Sequence, residues 1–536
     1  MVNDISSGSS SSNPYYLTAV GNTLYFAAID GTNGRELWTV SGGGGSGSGS
    51  SSTSAFAYAN DKISNGNQHT CAIADNGSLY CWGLGYYGQL GHGAYTHLYA
   101  PSTTPLDLGA GRMAVAVASG WHHSCAILDN GSVKCWGLDW RGQLGDGGTS
   151  HTPTTYLNSP SAPIDLGVDR TAVSISAGKE HTCAILDNGD MKCWGGNEQG
   201  ELGDAGLGGD RAAPLSTAIN FGTGRTAVAV SAGKQGTCAI LDNGSLFCWG
   251  NGKFTGHLPN TQWAQPTFAV NLGTGRTAAS VDVGNYHACA ILDTGDVKCW
   301  GRNLYGALGD GSTTETYTPN STAIDLGTGR TAVAISSGYM YTCAILDNGE
   351  VKCWGYNANG QLGDGSLTSI YAPNSTAIDL GTGRTAVSIS AGEDHTCAIL
   401  DNGDAKCWGA DGGLLGDGGS GNPGISSIPV LVAGSNTWDS STGLSSGSGS
   451  GSSGGSGSMT NITGATCTVS PSLPAGLSID SSTCTISGTP TSPSTNQTYT
   501  ITAVMSGVTY QTTVWLSSAY LPLTPSVEGA HLVLDE

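Results

Sequence analysis

Two cysteines ten residues apart, the second followed by Trp-Gly, recur seven times along the chain. The pairs are Cys71 with Cys81, Cys125 with Cys135, Cys183 with Cys193, Cys238 with Cys248, Cys289 with Cys299, Cys343 with Cys353 and Cys397 with Cys407. Nothing else restricts the fold as much, because every copy must satisfy the same local geometry. The last copy reads His395-Thr396-Cys397-Ala398-Ile399-Leu400-Asp401-Asn402-Gly403-Asp404-Ala405-Lys406-Cys407-Trp408-Gly409. An apolar run, an Asp-Asn-Gly turn and a return segment ending in Cys-Trp predict a β-hairpin. A two-residue Asn-Gly loop would set Cys125 opposite Trp136, and a three-residue Asp-Asn-Gly loop would set it opposite Cys135. The longer loop fits a type I turn closed by a left-handed Gly. Directly opposed residues are near enough to be bridged. The spacing therefore predicts one cross-strand disulfide per copy, the alternative being seven pairs of buried free thiols. A zinc site is disfavoured, because the spacing is not the short C-x₂₋₄-C of metal knuckles.

Composition points the same way. Gly supplies 85 of 536 residues and charged residues only 11%, as in turn-rich β structure. The length implies two or three domains. A net charge of −21 repels phosphate backbones and anionic membranes, which argues against nucleic-acid binding. Fourteen of the 16 cysteines lie in the hairpins, and Cys467 and Cys484 form a further candidate pair. An even, fully paired count suits an oxidising compartment. Met1-Val2-Asn3-Asp4 opens into Ser-rich sequence without an apolar signal core, and no run reaches the length of a membrane-spanning helix. A secreted chain of this kind is expected to be a mature form, a fragment or an engineered product.

Residues 1–40 carry a hairpin signal: Tyr15–Val20, a Gly21-Asn22 turn, then Thr23–Ala28. Asp30-Gly31-Thr32-Asn33-Gly34-Arg35-Glu36-Leu37-Trp38 follows. Residues 41–54 and 439–458 are Gly/Ser-rich linkers. Their purity, and Met459 after the second, fit an engineered join as well as natural spacers. Between them, residues 55–438 hold the seven copies. A full unit opens with the strand Arg330–Ser337, adds the two hairpin strands, passes the loop Gly360-Gln361-Leu362-Gly363-Asp364-Gly365, and closes with an expected strand Ala377–Leu380. Four strands in each of seven units predict a seven-bladed β-propeller. Ile428–Val432 is expected to pair beside the first blade and clasp the ring. Residues 459–517 alternate short strands with Pro/Gly turns, as in a small β-sandwich that a Cys467–Cys484 bridge would steady. Residues 518–536 read as a tail. The fold class is all-β.

Three resemblances join this reading. Gly-x-x-His-Thr-Cys-Ala-Ile-Leu-Asp-Asn-Gly-x-Val-Lys-Cys-Trp-Gly followed by Gly-Gln-Leu-Gly resembles the regulator of chromosome condensation repeat, over about 380 residues. That family builds seven-bladed propellers. It includes a nuclear exchange factor for a small GTPase and secreted members, among them bacterial inhibitors of β-lactamase. The chain looks like the secreted, Cys-paired branch. Arg35-Glu36-Leu37-Trp38 and its surroundings resemble the Glu-Leu-Trp repeat of large surface proteins. Cys467–Asp480, Cys484–Pro490 and Tyr499–Val504 resemble the immunoglobulin-like domain of bacterial and archaeal surface proteins.

No catalytic constellation, cofactor motif or metal site is legible. His69, His123, His181, His287 and His395 recur two residues before Cys, but Gly236 and Tyr341 interrupt the set, so a repeated structural hydrogen bond is expected. Gly-x-Gly-Arg at Arg225, Arg276, Arg330 and Arg384 precedes strands rather than helices and fails as a phosphate loop. The Leu-Gly-Asp loops at Asp146, Asp204, Asp310, Asp364 and Asp417 offer one carboxylate each, too few for a calcium site. The Trp after each second Cys is expected to pack between blades. Asn320, Asn374, Asn461 and Asn496 are candidate glycan acceptors.

Comparison among the copies locates the candidate site. The framework is nearly constant, whereas the two residues before the hairpin His position vary: Asn67 and Gln68, Trp121 and His122, Lys179 and Glu180, Lys234 and Gln235, Asn285 and Tyr286, Tyr339 and Met340, Glu393 and Asp394. They are expected on loops at one rim. Trp121, His122, Tyr286, Tyr339, Met340 and Tyr341 would form an aromatic interaction face. The functional expectation is an extracellular or cell-surface, non-catalytic binding or adhesion protein that engages a protein or glycan without entering a membrane. A secreted enzyme inhibitor and a guanine-nucleotide exchange factor are the alternatives.

Overall fold

The computed structural model describes residues 62–148, 156–160, 162–206, 209–253, 255–257, 264–419, 424–434 and 437–438 in full. It also gives the strand backbones at 15–20, 23–29, 35–41, 466–470, 477–479, 486–488, 494–505 and 508–518. No α-helix occurs among the described residues.

Seven small antiparallel sheets repeat along the chain, one per Cys hairpin. Their first strands are Ile63–Asn65, Ala114–Ser119, Ala172–Ala177, Ala227–Ala232, Ala278–Val283, Ala332–Ser337 and Ala386–Ala391. Each of these touches its counterpart in the blade before and after, and the last returns to the first. They form the inner ring of a closed seven-bladed propeller. In the sixth blade the middle strand is Tyr341–Leu346 and the outer strand Val351–Gly355. Cys343 lies directly opposite Cys353, as the three-residue turn predicts. Gly349 closes that turn at φ 78°, a conformation open to glycine at little cost.

All seven predicted hairpin disulfides are formed. They join Cys71 to Cys81, Cys125 to Cys135, Cys183 to Cys193 and Cys238 to Cys248 in the first four blades. In the last three they join Cys289 to Cys299, Cys343 to Cys353 and Cys397 to Cys407. No free cysteine occurs among the described residues, so the alternative of paired thiols is excluded for these hairpins. The expected pairing of Cys467 with Cys484 lies outside the described residues.

The core is seven layers between blades rather than one central mass. One layer joins Cys343, Ile345, Val351, Leu362 and Ile378 of the sixth blade to Ala398, Leu400 and Trp408 of the seventh. The Trp after each second Cys is fully buried and packs on the preceding blade. Trp408 Nε1 donates to the Gln361 carbonyl at 2.9 Å. A Cβ on Gly363 would strike that indole, which explains the second Gly of the Gly-Gln-Leu-Gly loop. The Gly-x-Gly-Arg arginines pair with the Asp of their own hairpin turn, as in Arg330–Asp347 at 3.3 Å. Asp364 Oδ1 accepts from Ser366 N at 2.9 Å, so the Leu-Gly-Asp carboxylate closes its own loop.

Two expectations need correction. Ala377–Leu380 is not a strand. The chain after the outer strand touches it at two separated points: an isolated bridge between Gly355 and Ile370, and Ile378 N donating to Val351 O at 2.9 Å. Pro373, between them, has no N–H to give a ladder. Among the described residues only the second and seventh blades gain a fourth strand, at Tyr156–Leu157 and Ile425–Leu431. That last strand pairs with Ala405–Ala410 of its own blade, not with the first. The clasp lies six residues beyond Val432. Trp438 bridges Ala74 of the first blade, Asp75 N donates to Thr437 O at 3.0 Å, and Trp438 N donates to Gly403 O at 2.8 Å. Met113 and Ala114 make the matching bonds to Asp129 and Gly77 at the next junction. Trp438 thus starts an inner strand that Ile63–Asn65 completes from the other end of the chain.

The flanking modules are also β. Tyr15–Val20, Thr23–Ile29 and Arg35–Ser41 form an antiparallel sheet in which Val20 pairs with Thr23. A second compact unit covers 447–536. Thr466–Ser470, Ser494–Met505 and Val508–Ser518 form one of its sheets, and Leu477–Ile479 with Ile486–Gly488 the other. This is the immunoglobulin-like sandwich.

Candidate functional site

The variable residue pairs sit where each inner strand turns into its middle strand. The recurring histidines lie just inside this rim and hold it together. His69 Nε2 contacts Ser124 Oγ of the next blade at 2.8 Å, His123 contacts Thr182 at 3.0 Å, His181 contacts Thr237 at 2.9 Å, His287 contacts Thr342 at 2.7 Å, and His395 contacts Thr70 at 2.8 Å. Where the hydroxyl's own proton goes to a carbonyl, as Thr182 donates to Gln143 O, the imidazole must be the donor. Burial depresses these imidazoles: His181 and His287 to about 4, His123 and His395 to about 3. They are neutral structural latches. Where the fourth blade has Gly236 instead, a Cβ on Gly233 would meet Val283 of the next blade, so a bulkier neighbour fills the gap.

Above the latches, four of the six expected rim residues are half-buried and near one another. Trp121 and His122 lie 5.9 Å apart between ring centres, and Tyr286 and Tyr339 lie 5.5 Å apart in an edge-to-face contact. Tyr356 extends the group from Tyr339 at 6.4 Å, and Tyr305 lies 4.7 Å beyond it. Burial first, then Lys179, lowers His122 to about 4. The other two residues are not on the face. Tyr341 is fully buried in the latch position, its hydroxyl donating to the His395 carbonyl at 2.7 Å. Met340 is buried, with a left-handed φ of 121° that is costly for a side-chain-bearing residue. In the sixth blade the loop leaves Tyr339 on the face and turns Met340 toward the body, whereas Trp121 and His122 of the second blade both stay on the face.

Cations join the aromatics. Lys179 Nζ lies 4.5 Å from the Trp121 ring centre, and Lys234 Nζ lies 5.0 Å from it. Lys234 also donates to Tyr286 Oη at 2.7 Å, and the Arg302 guanidinium lies 5.0 Å from the Tyr286 ring centre. Lys179 is paired with Glu180 at 2.6 Å. At the same rim, Glu393 and Asp394 are both raised above the ordinary carboxylate range by burial, with Asp394 adding to the effect on Glu393 and the Lys234 ammonium opposing it. Lys179 and Lys234 were expected on the rim loops but not in the aromatic face, and Arg302 was not singled out. The available signal was that Lys179 and Lys234 take the same variable position in two adjacent copies, and that Arg302 has no cationic counterpart in any other copy. Among the described residues no three His, Cys, Asp or Glu converge as a metal site. Asn320 and Asn374 donate their amides to Asp310 and Asp364 at 3.2 and 3.3 Å. The side chains of Asn461 and Asn496 lie outside the described residues.

Comparison with known proteins places this architecture. A model of the regulator of chromosome condensation (RCC1) repeat matches residues 76–127, 130–185, 294–345 and 348–399. A second model of the same repeat matches 61–89, 114–143, 172–201, 227–254, 278–307 and 332–361. The chain is 30% identical over 348 residues to the mitochondrial RCC1 domain-containing protein RUG3 of Arabidopsis thaliana, covering 63% of this chain and 76% of that one. The chain belongs to the RCC1 repeat family. This RCC1-repeat chain is also 28% identical over 351 residues to the Ultraviolet-B receptor UVR8 of Arabidopsis thaliana, covering 65% and 76% of the two chains. It is 28% identical over 367 residues to the secretion-regulating guanine nucleotide exchange factor of Mus musculus, covering 63% and 76%. It spans only 7% of the E3 ubiquitin-protein ligase HERC2 of Homo sapiens, at 27% identity. Among solved structures, yeast RCC1 (Prp20) bound to Kap60 superposes with a TM-score of 0.58 at 18% identity, covering 70% of this chain and 86% of that one. Human WBSCR16 gives 0.55 at 23%, covering 63% and 86%. At these identities the structures show the fold alone. A model described as "Putative Ig domain" matches 429–518. Its first ten residues lie in the propeller's last blade and clasp.

Proposed function

We propose that this RCC1-repeat chain is an extracellular or cell-surface, non-catalytic binding or adhesion protein that engages a protein or glycan through the rim bearing Trp121 and Tyr286. One observation carries the reading: a framework repeated almost unchanged seven times presents non-repeated, half-buried aromatic and charged side chains at one end. Repetition accounts for the fold, so what does not repeat is left for recognition. Seven formed disulfides support an oxidising location. The immunoglobulin-like unit would serve as a spacer, and the N-terminal sheet as a Glu-Leu-Trp surface module. The test is cross-linked capture at intact cell surfaces by the full chain and by its Trp121→Ala/Tyr286→Ala variant. Capture is expected to fall in the folded variant, and equal capture would refute the chosen face.

A second reading is nucleotide exchange on a small GTPase. It is favoured by the similarity to the secretion-regulating exchange factor. Acceleration of nucleotide release from small GTPases by the intact chain would support it, and unchanged release would remove it.

A further inference from the structure

Cations are scarce in this acidic chain, and the structure ties most of them into its framework. Among the residues described in full every arginine except Arg302 is ion-paired. Lys192, Lys298 and Lys352 donate to the Leu carbonyls of the Leu-Gly turns. Lys234 and Arg302 stand apart: neither has a carboxylate at ion-pair distance among the described residues, and both lie against Tyr286. Lys234 shares Trp121 with Lys179 as well. Three cations from three consecutive blades therefore crowd two aromatic rings.

Like charges this close repel, and half-burial removes part of the water that would screen them. The unpartnered N–H groups nearby have the same polarity. Trp121 Nε1, Asn285 Nδ2 and Arg302 Nε are shielded from solvent and have no acceptor. These three are fixed donors, and the fourth open position, His122 Nδ1, donates or accepts according to its tautomer, so the missing component is an acceptor bearing negative charge.

The rings decide what carries that charge. A sugar stacks on a free aromatic face, but Trp121 has ammonium groups of Lys179 and Lys234 against it, and Tyr286 has Lys234 and Arg302. A pyranose stacking on either ring would have to compete with these cations for it. Carboxylates on a flexible backbone need no stacking surface and can reach both cations. Glu180, paired with Lys179, and Glu393, on the seventh blade and within the field of Lys234 though not at ion-pair distance, bound the patch with negative charge and leave the third, fourth and fifth blades as its cationic part. That geometry suits a short acidic run rather than a long uniform polyanion.

We propose that the rim of these three blades binds an acidic peptide segment of a partner protein, with Lys179, Lys234 and Arg302 pairing its carboxylates and Asn285 and Trp121 supplying neutral hydrogen bonds. This rests on the rim being the partner-binding face and names the partner's chemistry.

The experiment is fluorescence anisotropy of a labelled oligoglutamate peptide with the full chain, alongside oligolysine and polygalacturonate. Saturable binding of oligoglutamate that weakens with salt is expected. Lys234→Gln and Arg302→Gln should each weaken it about tenfold or more, as expected for losing one partner of a desolvated charge pair. Arg302→Lys should recover part of the loss, and Arg225→Gln, in a framework ion pair, should change nothing. Near-ultraviolet circular dichroism verifies that each variant is folded. Absence of oligoglutamate binding, equal binding by the folded Gln variants, or preference for polygalacturonate or oligolysine would overturn the proposal. If Trp121→Ala/Tyr286→Ala abolishes surface capture while the intact chain ignores oligoglutamate, the acidic chemistry is wrong and the rim still binds. If capture ignores that variant while oligoglutamate binds through Lys234 and Arg302, the acidic site stands and the broader function fails.

Discussion

The buried histidines have a consequence for acid stability. Their ordinary value is 6.5, and burial holds four of them at about 3 to 4 in the folded chain, with His69 also well below its ordinary value. Protons therefore bind the unfolded chain first. The stability these groups contribute is complete above about pH 6.5 and is lost as pH falls toward 3 to 4. A denaturant midpoint that declines over that window is the expected result. Two buried carboxylates work in the opposite sense. Burial raises Glu201 to about 7 and Asp282 to about 6, so their contributions are present in acid and are lost as pH rises through those values. Glu201 Oε2 accepts from Gln199 N at 2.8 Å, the bond that Gln361 makes with Asn359 N at 2.9 Å in another blade. Glu201→Gln should keep that acceptor and stabilise the protein by roughly 1–3 kcal/mol above pH 7, with little gain at pH 4. Urea titrations at the two pH values would check it.

Between neighbouring inner strands the structure contains a series of stitches that sequence comparison passed over. Ser64, Ser176, Ser231, Ser336 and Ser390 each accept a hydrogen bond from a backbone N–H of the next blade, and Asp282 does the same to Ser337 N. The second blade has Ala118 there. Ala118→Ser should add the missing acceptor and raise stability by about 1 kcal/mol, read from the urea midpoint. The hairpins carry a second prediction. Each disulfide closes a short loop, so each should contribute less than the ~3 kcal/mol estimated for a 15-residue loop, but seven act together. Melting after verified reduction should fall sharply, and an unchanged curve would contradict it. The hairpins were legible because an alternating pattern, a three-residue turn and paired Cys all specify one register. The segment after each hairpin was less so: Ala377-Ile378-Asp379-Leu380 has strand-like residues, but only the Ile378 N–H reaches the outer strand. At the rim, Trp121 and Tyr286 were legible as departures from the repeat. Tyr341 misled because an aromatic ring serves there as a latch, and the contacts of Lys234, expected at the rim, were not legible because Trp121 and Tyr286 come from the second and fifth blades.

At the scale of the whole ring, seven equivalent junctions differ in one respect: six are continuous in the chain, and one is closed by Trp438. Its side chain is almost fully buried, with ring centres 5.6 Å from Trp82 and 5.9 Å from Tyr80. Trp438→Ala should cost about 3–5 kcal/mol. Hydrogen exchange is the sharper measurement, with the first and seventh blades losing protection before the third to fifth.

That closure also determines how the propeller bears load. The chain enters at Lys62 and leaves at Trp438, and both ends lie along the middle strand of the first blade, where Ile63 pairs with Ala72 and Trp438 bridges Ala74. Tension between the flanking segments is therefore applied across one blade, and the other six are out of line with it while the clasp holds. If the clasp parts, the hairpin disulfides limit the length released: each locks a ten-residue separation, withholding roughly 30 Å of extended chain. Mechanically, the molecule is a closed buckle backed by seven length stops.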